Sequence, residues 1–450
     1  MNVSKEVLIE DMSYGPFAVT HNAEGQVIFA ENVCPGDVVD LEVYDARKDF
    51  SFANVTQIHT LSGLRNPDPR CKLHKICGSC QWQHIDYQSQ LDFKKKNLAD
   101  LVSKAKINFD INTMPNLIGM DNPWNYRNKV TYPVSTVKDT GRMLAGYFKR
   151  NSKELINIKF CPIQYSLFDE IIEKIKELCN YEDITDKNLR HIMVRSNHDQ
   201  SEVLVCFIMR RKFFTDKMHT AVGKISRRIM RDFTQIKTCT INYNDNSTNV
   251  ILGNETEVLI GEGFVNEVFK DVKLKISTES FFQVNIQQFG KIVDLITDAM
   301  DASDEEMKIL DVYCGIGTIS LAIAKKFSKV KILGIESVAS AIKDAKQNAI
   351  DNGIEAEFVC SSVEEESDNI KAVKPSYMII NPPRKGCTNK VLDAIAEVDA
   401  KKFFYVSCNP STLMRDIKYL EERGFKLESL QGVDMFPHTY HIETLAVLSS

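Results

Sequence analysis

Apolar positions in the first 60 residues form short runs, most of them closed by glycine or proline. The runs occupy residues 7–9, 17–19, 27–29, 38–43 and 52–55. Five short strands at regular spacing are typical of a small barrel of the OB type. We therefore predict an OB-like β-barrel at the start of the chain.

Patterns of a different kind follow this region. Apolar positions at residues 87–104 have the spacing of one amphipathic helix, whereas 122–267 mixes strand and helix patterns. From residue 307 onward, apolar strands alternate with helical stretches, which favours a parallel sheet with helices on both faces. Two final strands, at 425–432 and 443–448, have no helix between them and can pair antiparallel.

These patterns predict an α/β chain built from several domains. We predict a barrel at 1–60 and a central mixed α/β domain formed by 61–90 and 122–267. A helix and linker at 91–121 would pack on the catalytic domain, which we place at 268–450. The last of these has the strand and helix order of a Rossmann-like domain.

Composition agrees with a globular chain but gives a mixed signal about partners. Of the 450 residues, 43% are hydrophobic and 26% are charged, and the formal net charge is -5. No apolar run reaches the length of a membrane-spanning helix, and the N-terminus has no secretory pattern. We expect a cytoplasmic monomer. Its one conspicuously basic stretch, at 210–231, is a candidate nucleic-acid surface or a solvated helix face.

A strand followed by a glycine-rich turn marks a cofactor site. Gly315 and Gly317 lie between a predicted strand and helix, and the next strand ends in Glu336, which suits ribose hydroxyls. Ser320 stands where a dinucleotide site normally has a third glycine. The turn Asp-x-Tyr-Cys-Gly-x-Gly resembles class I methyltransferases, so S-adenosylmethionine is the expected ligand.

Another strand ends in Asn-Pro-Pro-Arg at 381–384, a proline-stiffened loop that is also methyltransferase-like. An aromatic residue after the prolines would indicate methylation of an amino group, and Arg384 stands there instead. Cys408 ends a later apolar strand just before a helix, where a helix N-terminus lowers the pKa of a thiol. Glu443 opens the last strand and is a candidate general base.

Together these residues resemble the RNA uracil-5 methyltransferases over essentially the whole chain. The matching motifs occupy 280–285, 311–317, 381–384, 407–410 and 434–439, with Glu443. By this resemblance, the residues that contact S-adenosylmethionine are Gln283, Tyr313, Glu336 and Asn381. The resemblance further implies that Phe281 holds the flipped uracil, that Cys408 is the nucleophile and that Glu443 is the base. The family often has Asp in place of Asn381.

Four cysteines form a separate signal. They are Cys71, Cys77, Cys80 and Cys161. Zinc is one reading of the first three, but no second Cys-x2-Cys pair follows, and a proline follows the fourth cysteine. Four thiolates of this kind suit a 4Fe-4S cluster, as in cluster-bearing members of the family.

The resemblance also implies the substrate. The barrel resembles the TRAM domain, an RNA-binding appendage, and members with both this barrel and the cluster usually modify 23S ribosomal RNA. We therefore expect rRNA, with tRNA as the alternative. Two other hypotheses stay open at this point: an amino-group methyltransferase that uses Asn381, and a non-enzymatic iron–sulfur RNA-binding protein.

Overall fold

The computed structural model describes residues 3–301 and 306–450. Its helices are α1 (Tyr87–Ala105), α2 (Ser166–Tyr181), α3 (Asp216–Asp232), α4 (Ile286–Asp298), α5 (Thr318–Lys326), α6 (Ala339–Asn352), α7 (Ser367–Ala372), α8 (Asn389–Ala396) and α9 (Pro410–Glu421). Its strands are β1 (Val3–Leu8), β2 (Asp11–Met12), β3 (Ala18–His21), β4 (Val27–Ala30), β5 (Val38–Ala46), β6 (Phe50–Thr60), β7 (Lys129–Thr136), β8 (Met143–Phe148), β9 (Leu155–Asn157), β10 (Leu189–Ser196), β11 (Val203–Met209), β12 (Ile236–Tyr243), β13 (Glu255–Ile260), β14 (Phe264–Phe269), β15 (Val272–Ser277), β16 (Met307–Val312), β17 (Val330–Glu336), β18 (Ala356–Cys360), β19 (Tyr377–Ile380), β20 (Lys402–Ser407), β21 (Lys426–Val433) and β22 (Glu443–Ser449).

The N-terminal strands form a curled sheet in the order β1-β5-β6-β4-β3-β2. Its edge strands β1 and β2 do not pair with each other in the described part of the chain, so the OB-like barrel predicted here is observed as a curled half-barrel. Trp82 and Ile85, from beyond the last strand, are fully buried in the core of this sheet beside Ile9 and Met12. Side chains from outside the sheet therefore complete the core of the half-barrel.

The central sheet has the order β13-β12-β11-β10-β7-β8-β9 and is covered on both faces. Alternate residues of β11 point to opposite faces, as in any strand. Val205 and Phe207 pack into the core that contains α2 and α3. Leu204 and Cys206 pack instead into a second core, which includes β14, β15 and the C-terminal sheet.

The C-terminal sheet has the order β18-β17-β16-β19-β20-β22-β21. The first five of these strands are parallel, and β22 runs antiparallel to both β20 and β21. The predicted Rossmann-like sheet and its antiparallel final pair are therefore confirmed. Because parallel strands end at the same edge, the segments after β16, β17, β19 and β20 meet there.

Helix α1 lies against the C-terminal sheet and covers the length predicted for it. Leu98 and Val102 belong to the same core as β19 and β20. The ammonium of Lys94 and the carboxylate of Asp434 form a fully buried ion pair with an N–O distance of 2.7 Å. Among residues 3–301 and 306–450, no helix combines the length and the apolar character needed to cross a membrane.

Candidate active site

A cavity of about 710 Å³ opens at the carboxyl edge of the C-terminal sheet. It brings together all the residues to which the sequence analysis gives a role in binding the cofactor, holding the target base or performing the chemistry. These residues are Phe281, Gln283, Tyr313, Glu336, Asn381, Cys408 and Glu443. One continuous space therefore joins the expected cofactor site to the candidate nucleophile.

The turn between β16 and α5 forms the cofactor end of this cavity. Gly317 has a φ of 78°, and a Cβ there would come within 2.9 Å of the Phe358 ring, so only glycine fits. A Cβ on Gly315 would meet no atom within 4 Å, which leaves that backbone open to a ligand. The Glu336 carboxylate accepts hydrogen bonds from the backbone N–H of Gly315 at 3.3 Å and of Val338 at 3.0 Å. This carboxylate and open turn fit a nucleoside with free ribose hydroxyls.

The loop that carries Phe281 and Gln283 is fixed by the central sheet. Arg195 of β10 is buried and donates to the carbonyls of Ser277 and Ser280, each at 2.6 Å. Asn128 donates to the carbonyl of Gln283 at 3.0 Å. The ring of Phe281 is nevertheless 65% exposed, so the loop holds an aromatic face open to the cavity. The sequence analysis missed Arg195, because no local signal marks a strand arginine as a loop anchor.

The other end of the cavity is formed where β20 leads into α9. Asn409 caps the helix by accepting the N–H of Ser411 at 3.2 Å. It also donates to the carbonyl of Arg384 at 3.0 Å, and the hydroxyl of Thr412 donates to the same oxygen at 3.3 Å. These bonds hold the loop after β19 against the half-buried Cys408.

Charge at this end is governed by Glu443, Cys408 and Arg384. Burial raises the pKa of Glu443 to about 8. Burial and the neighbouring Glu443 charge raise the pKa of the Cys408 thiol. A helix N-terminus was expected to lower this pKa, and that expectation is wrong, because burial has the larger effect. Arg384 opposes both shifts, through its charge and through a hydrogen bond to Cys408.

Arg384 therefore stabilises both negative charges that the site can develop, a role that the sequence analysis did not assign. Replacing it in Arg384→Met should raise both pKa values, since the positive charge that lowers them is removed. We expect the rising limb of the pH–rate profile to move to higher pH and the rate near neutrality to fall by about 10- to 100-fold. Single-turnover methyl transfer at a series of pH values measures this. An unshifted profile, or an equal loss in the exposed control Lys390→Met, would contradict it.

His441 is a second residue of the cavity that the sequence did not single out. Burial, and after it the charges of Arg384 and Lys94, lower the pKa of this imidazole to about 4. The ring is therefore neutral near pH 7. It lies against the Tyr440 ring, with 4.3 Å between the ring centroids.

The four predicted cluster cysteines are all buried, at 6–9% exposure. Neighbouring thiols add to burial in raising the pKa of Cys71, Cys80 and Cys161. Arg150 binds their loop by donating to the carbonyls of Cys77 at 3.1 Å and Cys80 at 2.9 Å. Across the described ranges, however, no three His, Cys, Asp or Glu side chains are arranged to hold a metal ion.

Several cations of the basic stretch at 210–231 are paired with carboxylates. Arg211 pairs with Glu255 at 2.9 Å, and Lys224 pairs with Glu182 at 3.1 Å. Arg228 pairs with Asp232 within α3 itself. These ion pairs favour the reading of this stretch as a solvated helix face.

Comparison with known proteins decides the family. The model of the family described as tRNA (Uracil-5-)-methyltransferase matches residues 86–450. The chain belongs to this family. An uncharacterized RNA methyltransferase of Bacillus cereus is 35% identical, with 99% of this chain and 96% of that protein covered. An uncharacterized RNA methyltransferase of Listeria monocytogenes is 34% identical, with 99% and 98% covered.

One solved structure is similar to the whole chain. The crystal structure of Pyrococcus abyssi tRNA (uracil-54, C5)-methyltransferase in complex with S-adenosyl-L-homocysteine has a TM-score of 0.75 and 25% identity. It covers 98% of this chain and 100% of its own. As a member of the uracil-5 methyltransferase family, the protein is a SAM-dependent RNA (uracil-5-)-methyltransferase. The predicted enzyme class and methyl donor are confirmed, and the amino-group and non-enzymatic hypotheses are not.

Proposed function

We propose that this enzyme methylates carbon 5 of a uridine in 23S ribosomal RNA through a covalent bond between Cys408 and carbon 6. The observation that carries this proposal is the shared cavity. Cys408 and Glu443 line it together with the cofactor turn, and Arg384 acts on both of them. A uracil placed between the two side chains would have its reacting carbons next to the methyl donor.

The reaction starts from the Cys408 thiolate, formed when the thiol gives up its proton to solvent, and it needs Glu443 in the ionised form, although burial raises the pKa of both groups. Carbon 5 of uracil is a weak nucleophile until the Cys408 thiolate adds to carbon 6. The electrons of the 5,6 double bond then form an enolate, and Arg384 is the nearby cation that favours the charged thiolate at the start. S-adenosylmethionine supplies the methyl group that carbon 5 accepts. Glu443 then takes the proton from carbon 5, the double bond re-forms and the thiolate leaves.

The target base must leave its stack before the sulfur can reach it, so base flipping is part of the proposal. Phe281 is the candidate partner for the flipped uracil, because its ring is exposed and borders the cavity. Gln283, two residues further along the same loop, is the candidate contact to the donor. Tyr313, Glu336 and Asn381 complete the proposed cofactor site.

The proposed RNA is ribosomal because the N-terminal sheet, which we assign to a TRAM domain, accompanies a cysteine set like that of the cluster-bearing family members. We assign RNA binding also to the central domain, formed by 61–90 and 122–267. The second candidate is tRNA. It is favoured by the similarity to the Pyrococcus abyssi enzyme, a tRNA (uracil-54, C5)-methyltransferase that covers 98% of this chain.

Separate reactions with unmodified 23S rRNA and a pool of unmodified tRNA transcripts test the proposal. Each RNA is incubated with the enzyme and S-adenosylmethionine, digested to nucleosides and analysed by mass spectrometry. We expect 5-methyluridine from the rRNA alone. Product from tRNA alone would show that tRNA, and not rRNA, is the substrate. A methylated amino group in either RNA would refute methylation at carbon 5.

We also propose that Cys71, Cys77, Cys80 and Cys161 bind a 4Fe-4S cluster, with zinc as the alternative. Four buried cysteines supply the thiolates that either group needs, and the charges of neighbouring thiols help to raise the pKa of Cys71, Cys80 and Cys161. In the described residues these thiols are not yet gathered around one point, so binding would have to draw them together. Such a group would tie the loop at 71–80 to the segment before α2, and it has no part in methyl transfer.

Anaerobic purification tests the cluster. We expect a brown protein with about four irons per chain. Cys161→Ser should lose most of this iron, whereas Cys179→Ser, which changes another buried cysteine of the same domain, should keep it. A colourless protein with zinc, or unchanged iron in Cys161→Ser, would contradict this assignment.

A further inference from the structure

Two tyrosines pack across the boundary between the N-terminal sheet and the catalytic domain, one from each side. Tyr14, from the loop between β2 and β3, packs against the core of the catalytic domain. Tyr440, from the loop before β22, packs in turn against the core of the N-terminal sheet. Their rings meet edge to face, with centroids 6.0 Å apart and an interplanar angle of 87°. The N-terminal sheet therefore contacts the segment that leads to Glu443.

The loop that presents Tyr14 is held by its own short hydrogen bonds. The backbone N–H and the hydroxyl of Ser13 both donate to the carbonyl of Phe17, at 3.0 Å and 2.8 Å. The N–H of Gly15 donates to the carbonyl of Ser13 at 2.8 Å. Asp11, in β2 just before the loop, pairs with Lys96 of α1. Tyr14 thus projects from a small, defined turn anchored to the catalytic domain.

A row of rings connects this turn to the cavity. Tyr14 contacts Tyr440, Tyr440 lies against His441, and His441 contacts Phe436 edge to face at 6.0 Å. His441 and Phe436 both line the cavity, together with Cys408. His441, within this row, lies two residues before Glu443 along the chain. A change at Tyr14 would therefore be transmitted by ring packing to the wall that faces the target base.

We propose that Tyr14 is a positioning residue of the N-terminal sheet, which sets Tyr440 and His441 in place so that the target uridine and Glu443 are aligned. The inference rests on the reaction proposed at Cys408 and adds to it a residue from outside the catalytic domain. It also gives the N-terminal sheet a part in the chemical step besides binding RNA. The ring, through its packing, is the part of Tyr14 that acts.

The charges around Tyr14 agree with this position. Burial raises the pKa of its phenol, and the charges of Tyr440, Cys408 and Glu443 raise it further, whereas Arg384 lowers it. The phenol is therefore neutral at the working pH, and it lies close enough to the catalytic groups to be affected by them. Tyr44 offers a contrast on the same sheet: its ring is 56% exposed and stacks on Phe52, away from the cavity lining.

Three variants test the proposal: Tyr14→Leu, Tyr14→Phe and the control Tyr44→Leu. Each is assayed by single-turnover methyl transfer at saturating RNA, by equilibrium binding of S-adenosylhomocysteine and of RNA, and by thermal unfolding. We expect Tyr14→Leu to slow the reaction about tenfold or more, because small misplacement of reacting groups is costly. Binding of S-adenosylhomocysteine should stay within about twofold, since the cofactor turn is untouched. Tyr14→Phe and Tyr44→Leu should keep the wild-type rate within about twofold.

A double variant provides a second measurement that does not depend on the size of the single effect. If Tyr14 acts through His441, Tyr14→Leu combined with His441→Ala should lose little more activity than His441→Ala alone. Additive losses would overturn the proposal, as would a Tyr14→Leu rate equal to wild type or a loss confined to RNA affinity. If Tyr14→Leu does not fold, Tyr14→Phe and His441→Ala still test the ring-packing role. A slowed Tyr14→Phe would overturn it, whereas a wild-type rate in Tyr14→Phe together with a lowered rate in His441→Ala would support it. An inactive wild-type enzyme would instead refute the reaction itself.

Discussion

Cys408→Ala should abolish the covalent adduct that the wild-type enzyme forms with RNA containing 5-fluorouridine. Fluorine at carbon 5 cannot be removed as a proton, so after methyl transfer the bond between sulfur and carbon 6 cannot break. The adduct should survive denaturation and appear as a shifted band on a gel. Without the thiolate no addition occurs, and turnover on ordinary RNA should fall by at least about 10⁴-fold, as expected when a nucleophile is removed.

The control for this experiment is Cys360→Ala. Cys360 is an exposed cysteine at the end of β18 in the same sheet, and it should form the adduct at the wild-type level. Binding of S-adenosylhomocysteine to Cys408→Ala should be unchanged, which shows that the cofactor site is intact. An adduct that persists in Cys408→Ala would refute the nucleophile, and an adduct absent from the wild type would refute covalent catalysis.

Glu443→Gln should stop the reaction one step later, after the methyl group has been transferred. The amide cannot take the proton from carbon 5, so a methylated adduct should accumulate even on ordinary uridine RNA. We expect turnover to fall by about 10²- to 10⁴-fold, the usual contribution of a general base. Mass spectrometry of the trapped complex should show the enzyme joined to RNA, and that RNA should carry one added methyl group. A trapped complex without the methyl group would place Glu443 before methyl transfer.

The pKa of Glu443 gives this variant a second signature. The folded pKa, at about 8, lies above the ordinary value of 4.5, so the folded state holds this proton more tightly than the unfolded state does. Stability therefore falls as pH rises from about 4.5 to 8, because the carboxyl ionises in the unfolded chain while the folded state keeps it protonated. Glu443→Gln should lack this fall and unfold at a higher temperature than wild type at pH 8. The control Glu428→Gln, an exposed carboxylate on β21, should unfold like wild type.

The sequence was sufficient for the parts of the fold that depend on local pattern. Alternating apolar strands and helices predicted the parallel sheet, and the absence of a helix between β21 and β22 predicted their antiparallel pairing. Five apolar runs predicted an OB-like barrel at the N-terminus, and the structure has a curled half-barrel there. That Trp82, which follows all of its strands, enters its core is a long-range packing event that strand spacing does not reveal.

The candidate site, too, was predicted from sequence only where local patterns determine it. Motif spacing brought the proposed cofactor and catalytic residues to one edge of the sheet, since strand ends can be read from sequence. The direction in which the Cys408 pKa shifts could not be predicted from sequence. It depends on how deeply the thiol is buried and on the charges of Glu443 and Arg384, which other segments of the chain bring close to it. Arg195 was missed for a related reason. Its carbonyl partners lie at the end of β15 and just after it, and no sequence pattern links that segment to β10.

The two-sided packing of β11 makes the central sheet a wall that two cores share. Leu204 and Cys206 belong to a core that also contains residues of the methyltransferase sheet and of β14 and β15. A catalytic half separated from the central sheet would therefore keep its own hydrogen-bonded strands and still lose the apolar lining on one side. We therefore expect the central sheet and the catalytic half to unfold together in one cooperative transition.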